Sequence, residues 1–320
     1  MTKKVAVSQL RRHEKYDRLI AATARLSALP TAVAYPCDES SLKGAVEAAQ
    51  SGMLAPILVG PKKRILALAH SLKLDIGNFD IVDVSDSRAA AARAVELVRS
   101  GKAELVMKGS LHSDEILEAV TNKETGLRTG RRISHVFVMD VPNHPQTLFI
   151  TDAAVNIAPD LMAKRDIVQN AIDLFAALGL GVPKVAILSA VETVTPAIPS
   201  TIEAAALCKM ADRGQIRGGE LDGPLAFDNA ISPEAARIKG IDSRVAGEAQ
   251  ILVVPDLEAG NMLAKNLTFL SGADAAGIVL GAKVPIILTS RADNLRTRMA
   301  SCAVATLLAH RRRAIEPIRA

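Results

Sequence analysis

The chain predicts an α/β protein, and three observations carry that prediction. Short aliphatic runs alternate with helix-length amphipathic segments through the first 120 or so residues, the pattern of strand–helix–strand units on a parallel sheet. Aromatic residues make up 2% of the chain and Trp is absent. The core is therefore aliphatic, which suits strands buried on both faces and not a surface that stacks bases. A length of 320 residues leaves room for a second domain.

In order, an amphipathic helix is expected over 8–27, with Tyr16, Leu19 and Ile20 on its apolar face. A strand over 31–35 ends at Pro36, and Ser40 or Ser41 caps a helix to about Gln50. Strands over 55–59, 79–84 and 103–107 alternate with helices over 62–72 and 87–99. The turn Lys108-Gly109-Ser110-Leu111-His112-Ser113 then hands over to a helix at 114–120. Its lysine, histidine and small residues suit an anion cradle of backbone N–H groups. An ordinary glycine turn with a serine cap suits them equally.

The alternation pauses over 121–159, where Arg128, Arg131 and Arg132 cluster and 133–141 and 147–151 read as a strand pair. The crossing into a second domain is placed here. Asp152 and Asn156 follow the second of these strands and precede a helix at 160–178. They line a cleft or serve as caps. Gly179 and Gly181 follow a helix, the reverse of the order that a dinucleotide fingerprint needs, and read as a helix stop.

Strands at 184–188 and 251–254, helices at 199–212 and from Asp256 through Asn261 and Lys265 to about Leu270, and an apolar stretch at 276–280 complete the alternation. Between them, 221–228 reads as a strand or turn carrying Asp222 and Asp228. The run from Val284 to Leu288 then ends in Thr289-Ser290-Arg291 and leads into a last helix to Leu308. It reads as a buried strand delivering a hydroxyl and a guanidinium to the mouth of a parallel sheet. Ligands bind there in open α/β sheets, and a following helix start favours an anion.

With 49% hydrophobic and 23% charged residues the chain is globular rather than disordered. The net charge of +5 is mild and suits polyanionic substrates such as phosphate or coenzyme A. Cys37, Cys208 and Cys302 are far apart and without metal-ligand spacing, as in a reducing compartment. Lys3-Lys4 has no apolar stretch behind it, and no run reaches a membrane span. A soluble cytoplasmic protein without membrane or nucleic-acid partners is expected.

Four blocks, taken together, resemble the phosphate acetyltransferase/phosphate butyryltransferase family. They are 151–159; 222–228; Ser243 to Gly247 with Val254 to Asn261; and Leu288-Thr289-Ser290-Arg291-Ala292-Asp293. The chain is similar in particular to the transacylase half of bifunctional enoyl-CoA hydratase/phosphate acetyltransferase proteins. The resemblance implies two α/β domains facing a cleft, as in the isocitrate/isopropylmalate dehydrogenase fold. The first would be 1–139 with 292–320 returning to it, and the second 140–291. It implies a homodimer that converts acyl-CoA and phosphate to acyl phosphate and CoA, with no metal and no bound cofactor.

By the same resemblance Ser290 and Arg291 match a catalytic Ser-Arg pair, with Asp293 beside them. Lys108, Gly109, Ser110, His112, Asp152, Asn156, Asp256, Asn261 and Lys265 are the expected phosphate- or CoA-binding residues. Two positions depart. Thr297 stands where the acetyltransferases carry an Asp, and Glu118 where they carry an Arg. Two further readings fit parts of the pattern: a non-catalytic acyl-CoA- or CoA-binding subunit, and a dehydrogenase of the same fold drawing metal ligands from Asp222, Asp228 and Asp256.

Overall fold

A computed structural model of the chain describes residues 14–142, 144–289 and 293–315. Its first half repeats a strand–helix unit: helix α1 (Glu14–Ala22), then β1 (Leu29–Ala34), α2 (Glu39–Gln50), β2 (Leu54–Gly60), α3 (Lys62–Leu72), β3 (Asp80–Asp83), α4 (Ser87–Arg99), β4 (Leu105–Lys108) and α5 (Ser113–Thr121). Strands β5 (Ser134–Asp140) and β6 (Leu148–Thr151) follow, then α6 (Leu161–Ala177), β7 (Lys184–Leu188), α7 (Pro199–Asp212) and β8 (Glu220–Leu225). Two short helices, α8 (Phe227–Ile231) and α9 (Pro233–Ile238), precede β9 (Ile251–Val253), α10 (Leu257–Leu270), β10 (Asp274–Leu280), β11 (Ile286–Ile287) and the long α11 (Leu295–Ile315).

The eleven strands among the described residues join one sheet in the order β3-β2-β1-β4-β11-β10-β5-β6-β9-β7-β8. The wing from β3 to β11 is parallel, as is the wing from β6 to β8. Between them β10 runs antiparallel to both β11 and β5, and β5 antiparallel to β6. The expected 133–141/147–151 pair is thus the seam of a mixed sheet. One aliphatic core runs along a whole face of this sheet, from Tyr16, Leu42 and Ile65 through Leu308 to Phe149, Val168 and Leu207. The opposite face carries two smaller cores, one under α4 and α5 and one involving α10. The gap between those two is the cleft.

Local chemistry explains the element boundaries. Asp38, not Ser40 or Ser41, caps α2: its carboxylate accepts from Ser41 N at 2.8 Å, and the charged acceptor is the stronger partner for a helix start. Asp86, Asp160 and Asp256 cap α4, α6 and α10 in the same way. Residues 8–13 of the expected first helix lie outside the described residues. Within α1, Tyr16 ties the helix to the seam, donating from its hydroxyl to Val138 O at 2.6 Å and accepting from Ala276 N at 2.6 Å. The helices α8 and α9, absent from the sequence reading, are each too short to show a hydrophobic period.

Candidate active site

The cleft holds a cavity of about 630 Å³ at the meeting point of six segments and Ala154. The β4–α5 turn contributes Lys108, Leu111, His112 and Ser113. Helix α10 contributes Asn261, Ala264, Lys265, Thr268 and Phe269. Strand β5 supplies His135 and Phe137, strand β10 with its approach supplies Ala273, Asp274 and Ala275, and the end of β11 leads to Leu288 and Thr289. The start of α11 closes the site with Asp293, Asn294 and Thr297. The lining mixes apolar side chains with cations, hydroxyls and carboxylates, which is the composition of a site for an amphiphilic anion.

The β4–α5 turn is shaped by its approach to β1. Gly109 N donates to Ala34 O at 2.8 Å and Ser110 N to Tyr35 O at 2.9 Å. A Cβ on Gly109 would lie 2.4 Å from Ala34 O and 2.5 Å from Tyr35 O, so only glycine fits. The Ser110 hydroxyl also donates to Tyr35 O at 2.9 Å. These N–H groups are spent on the end of β1 and do not form the anion cradle that the sequence suggested for them. Lys108 and His112 are the ionisable members of the turn that line the cavity, beside Leu111 and Ser113. Lys108 is buried and donates to Thr289 O at 3.4 Å.

Asp152 and Asn156 lie beside the cavity rather than on its wall. The Asp152 carboxylate accepts from His135 N at 3.2 Å, Ala154 N at 3.0 Å, Val155 N at 3.0 Å, Asn156 N at 3.3 Å and Asn156 Nδ2 at 2.5 Å. Asn156 Nδ2 also donates to Ile133 O at 2.8 Å, and its Oδ1 accepts from Arg132 Nε at 2.6 Å. The pair ties the end of β6 to the start of β5. Burial pushes the Asp152 carboxyl above its ordinary range, against the pull of its donors. Asp256 likewise spends its carboxylate as the α10 cap, accepting from Ala259 N at 2.8 Å. Asn261 reaches back to Ala153 O at 3.3 Å.

At the start of α11, Asn294 Oδ1 accepts from Thr297 N at 2.8 Å and so caps the helix. Its amide donates to Asp274 Oδ1 at 3.0 Å, and the Thr297 hydroxyl donates to the same oxygen at 3.3 Å. A carboxylate therefore does reach the neighbourhood of Thr297, from β10 and not from α11. Arg298 braces the cavity from behind, donating to Thr289 Oγ1 at 3.0 Å and Ser40 Oγ at 3.2 Å. Ser290 and Arg291 lie outside the described residues, between Thr289 and Asp293, which both line the cavity.

Two ionisable cavity residues, His135 and Asp274, were missed by sequence reasoning. His135 had a signal: a lone imidazole in an otherwise aliphatic strand. Asp274 had little, since it precedes an apolar run and reads as a loop end. Among the described residues no group of three or more His, Cys, Asp or Glu is placed to hold a metal, and no helix is long and apolar enough to cross a membrane.

A family model described as "Phosphate acetyl/butaryl transferase" matches residues 86–306. The chain belongs to the phosphate acetyl/butyryl transferase family. A phosphate acetyltransferase of Rhizobium meliloti is 71% identical over 302 residues, covering 94% of this chain and 96% of that one. A phosphate butyryltransferase of Clostridium beijerinckii is 44% identical over 301 residues, covering 93% and 99%. The solved structure of a branched-chain phosphotransacylase from Enterococcus faecalis V583 matches with a TM-score of 0.77 at 31% identity, covering 88% of this chain and 99% of that chain. The mixed α/β fold with one large sheet is therefore that of the phosphotransacylases, and this member of the phosphate acetyl/butyryl transferase family is a transferase.

Proposed function

We propose that the cavity transfers a short acyl group between coenzyme A and inorganic phosphate: acyl-CoA + phosphate = acyl phosphate + CoA. The observation that carries this reading is the composition of the cleft cavity. Lys108, His112, Lys265, Thr289 and Asn294 supply polar lining, and Leu111, Phe137, Ala264, Ala275 and Leu288 supply apolar lining. Family membership supports the same reaction. A phosphate oxygen attacks the thioester carbon, the C–S bond breaks, and CoA leaves as a thiolate that takes its proton from solvent. Both substrates are held at once, which turns a bimolecular step into a positioned one.

The chemistry assigns roles. Arg291 offers a bidentate, charge-assisted contact to phosphate, and Lys108 adds a second cation. Ser290 and the N–H groups opening α11 are donors for the carbonyl oxygen. His112, Asn261 and Lys265 line the cavity and are the proposed contacts to CoA. Gly109, Ser110, Asp152, Asn156 and Asp256 serve the site by shaping its walls. A dedicated base is dispensable, because a thiol of pKa ~8.5 ionises at pH 7 at a cost of roughly 2 kcal/mol. Asp293 is the carboxylate in sequence reach of the Ser-Arg pair.

Residues 1–139 with 292–320, and 140–291, form the two domains in this reading, arranged as in the isocitrate/isopropylmalate dehydrogenase fold. The two parallel wings and the packing of α11 back on α1 and α2 support it. A cytoplasmic homodimer using no bound cofactor completes the proposal. Initial-rate kinetics test it: double-reciprocal lines that intersect fit the ternary complex, and parallel lines would establish an acyl-enzyme instead.

A further inference from the structure

Behind the cavity lies a cation that the chemistry above leaves unused. Arg298, one turn into α11, is only 3% exposed. Its guanidinium reaches two other segments: Nη1 donates to Thr289 Oγ1 at 3.0 Å and Nη2 to Ser40 Oγ at 3.2 Å. Ser40 Oγ donates onward at 3.2 Å to Oδ1 of Asp38, the cap of α2. The end of β11, the start of α2 and α11 are thereby joined through one planar fork, which holds its partners in fixed directions. Helix α2 makes room for it. A Cβ on Gly44 would lie 3.2 Å from Arg298 Cδ and 3.7 Å from Met107 Cε, and glycine in a helix interior is otherwise unfavourable.

What the fork holds is the approach to the Ser-Arg pair. Thr289 lines the cavity, and Ser290 and Arg291 follow it directly in the chain. Thr289 O also accepts from Lys108 at 3.4 Å, so the residue is tied by its main chain and by its side chain. Asp293 lines this cavity and also a second one, of about 440 Å³, walled by Ser40, Lys43, Leu295 and Arg298. Asp293 thus borders open space on two sides. Close packing, which fixes a core strand, gives way here to polar ties. We propose that Arg298 is a positioning residue of the acyl transfer: it anchors Thr289, and through Thr289 it sets where Ser290 and Arg291 meet phosphate. The inference rests on the acyl-transfer reading given above.

Arg298 exchanges no proton and touches no reacting atom in this role, and its guanidinium stays charged throughout. Its contribution is alignment. A bidentate contact to phosphate is only as well aimed as the backbone that carries it, and a displacement of about 1 Å costs on the order of 100-fold in rate. Phosphate, not CoA, bears the loss. The proposed CoA contacts His112, Asn261 and Lys265 sit on other elements, the β4–α5 turn and α10.

The test is a double-mutant cycle of Arg298→Met and Thr289→Val. Phosphate-dependent CoA release, assayed well below the lowest Tm of the set, gives kcat/KM for phosphate, and calorimetry gives CoA affinity. Arg298→Met is expected to lower kcat/KM for phosphate by about 100-fold, with CoA affinity changed by less than about twofold. Thr289→Val is expected to cost about tenfold. The double variant should lose no more than Arg298→Met alone, because the guanidinium acts through Thr289. Arg298→Lys, which holds one partner and not both, is expected to fall between wild type and the Met variant, and it takes the Met variant's place in the cycle if that variant does not fold. A purely structural Arg298 would lower Tm and leave kcat/KM for phosphate intact in the folded variant. A value within about threefold of wild type in the folded Arg298 variant, or losses that multiply in the double variant, overturns the proposal. Failure of the wild-type enzyme to release CoA in a phosphate-dependent way would instead defeat the acyl-transfer reading itself.

Discussion

Replacing Asp152 by Ala removes one carboxylate from five donors. Three of them are buried: the backbone N–H groups of His135 and Asn156, and the Asn156 side-chain amide. Leaving a buried donor unsatisfied costs about 1–3 kcal/mol. The 152–156 loop can relax around Ala154 N and Val155 N, so the low end of that range applies to each buried donor. The sum is about 3–4 kcal/mol, a lowering of Tm of roughly 5–10 °C for a chain of this size. Asp152→Asn keeps one acceptor oxygen and should cost about half as much. Differential scanning calorimetry reads both, with CoA release assayed well below the lower Tm. If Asp152 is a wall-former, the stability loss comes first and the folded variant keeps measurable activity. A Tm within 1 °C of wild type together with abolished activity would refute this reasoning and return Asp152 to the substrate.

The remaining predictions concern charge. His135 has its pKa lowered from 6.5 to about 3 by burial, so between those values the unfolded chain binds a proton that the folded chain refuses. Its contribution to stability is therefore intact above pH 6.5 and is lost as pH falls; at pH 5 the loss is about 2 kcal/mol. Denaturant midpoints at pH 7 and pH 5 for wild type and His135→Gln check this, and identical pH slopes would contradict it. Arg291→Ala should lower phosphate-dependent CoA release by about 100-fold or more, through a lost charge-assisted contact and lost alignment. Asp293→Ala should cost less than about tenfold, because the thiol ionises at modest expense without a base. Equal losses in the two variants would show that a carboxylate base is needed after all.

Much of the fold was legible because its elements carry local signals. Helices α3 and α4 begin and end where their apolar period does, and β7 is a plain aliphatic run between Pro183 and Ser189. The single sheet was not legible. The β5/β6 pair was readable across its short turn, but nothing local says that β10 pairs antiparallel with β5 between two parallel wings, since that pairing is set by tertiary packing across more than a hundred residues. The site divides in the same way. Lys108, His112, Asn261, Lys265 and Asp293 were readable from their strand–helix junctions or motif, and all line the cavity. Gly109, Ser110, Asp152 and Asp256 are equally prominent in sequence, yet their polar groups are consumed by backbone. A motif does not distinguish a residue that meets the ligand from one that builds the wall behind it. Asp274 shows the converse: it comes into the site only through the register of β10 and the cap of α11.

The most direct test of the account is CoA release from acetyl-, propionyl- and butyryl-CoA, with and without inorganic phosphate. The account predicts release that depends on phosphate, with acyl phosphate formed in equal amount. Release at the same rate without phosphate would make the protein a thioesterase, and no release with any of the three would leave it a binding protein; either result contradicts the central claim.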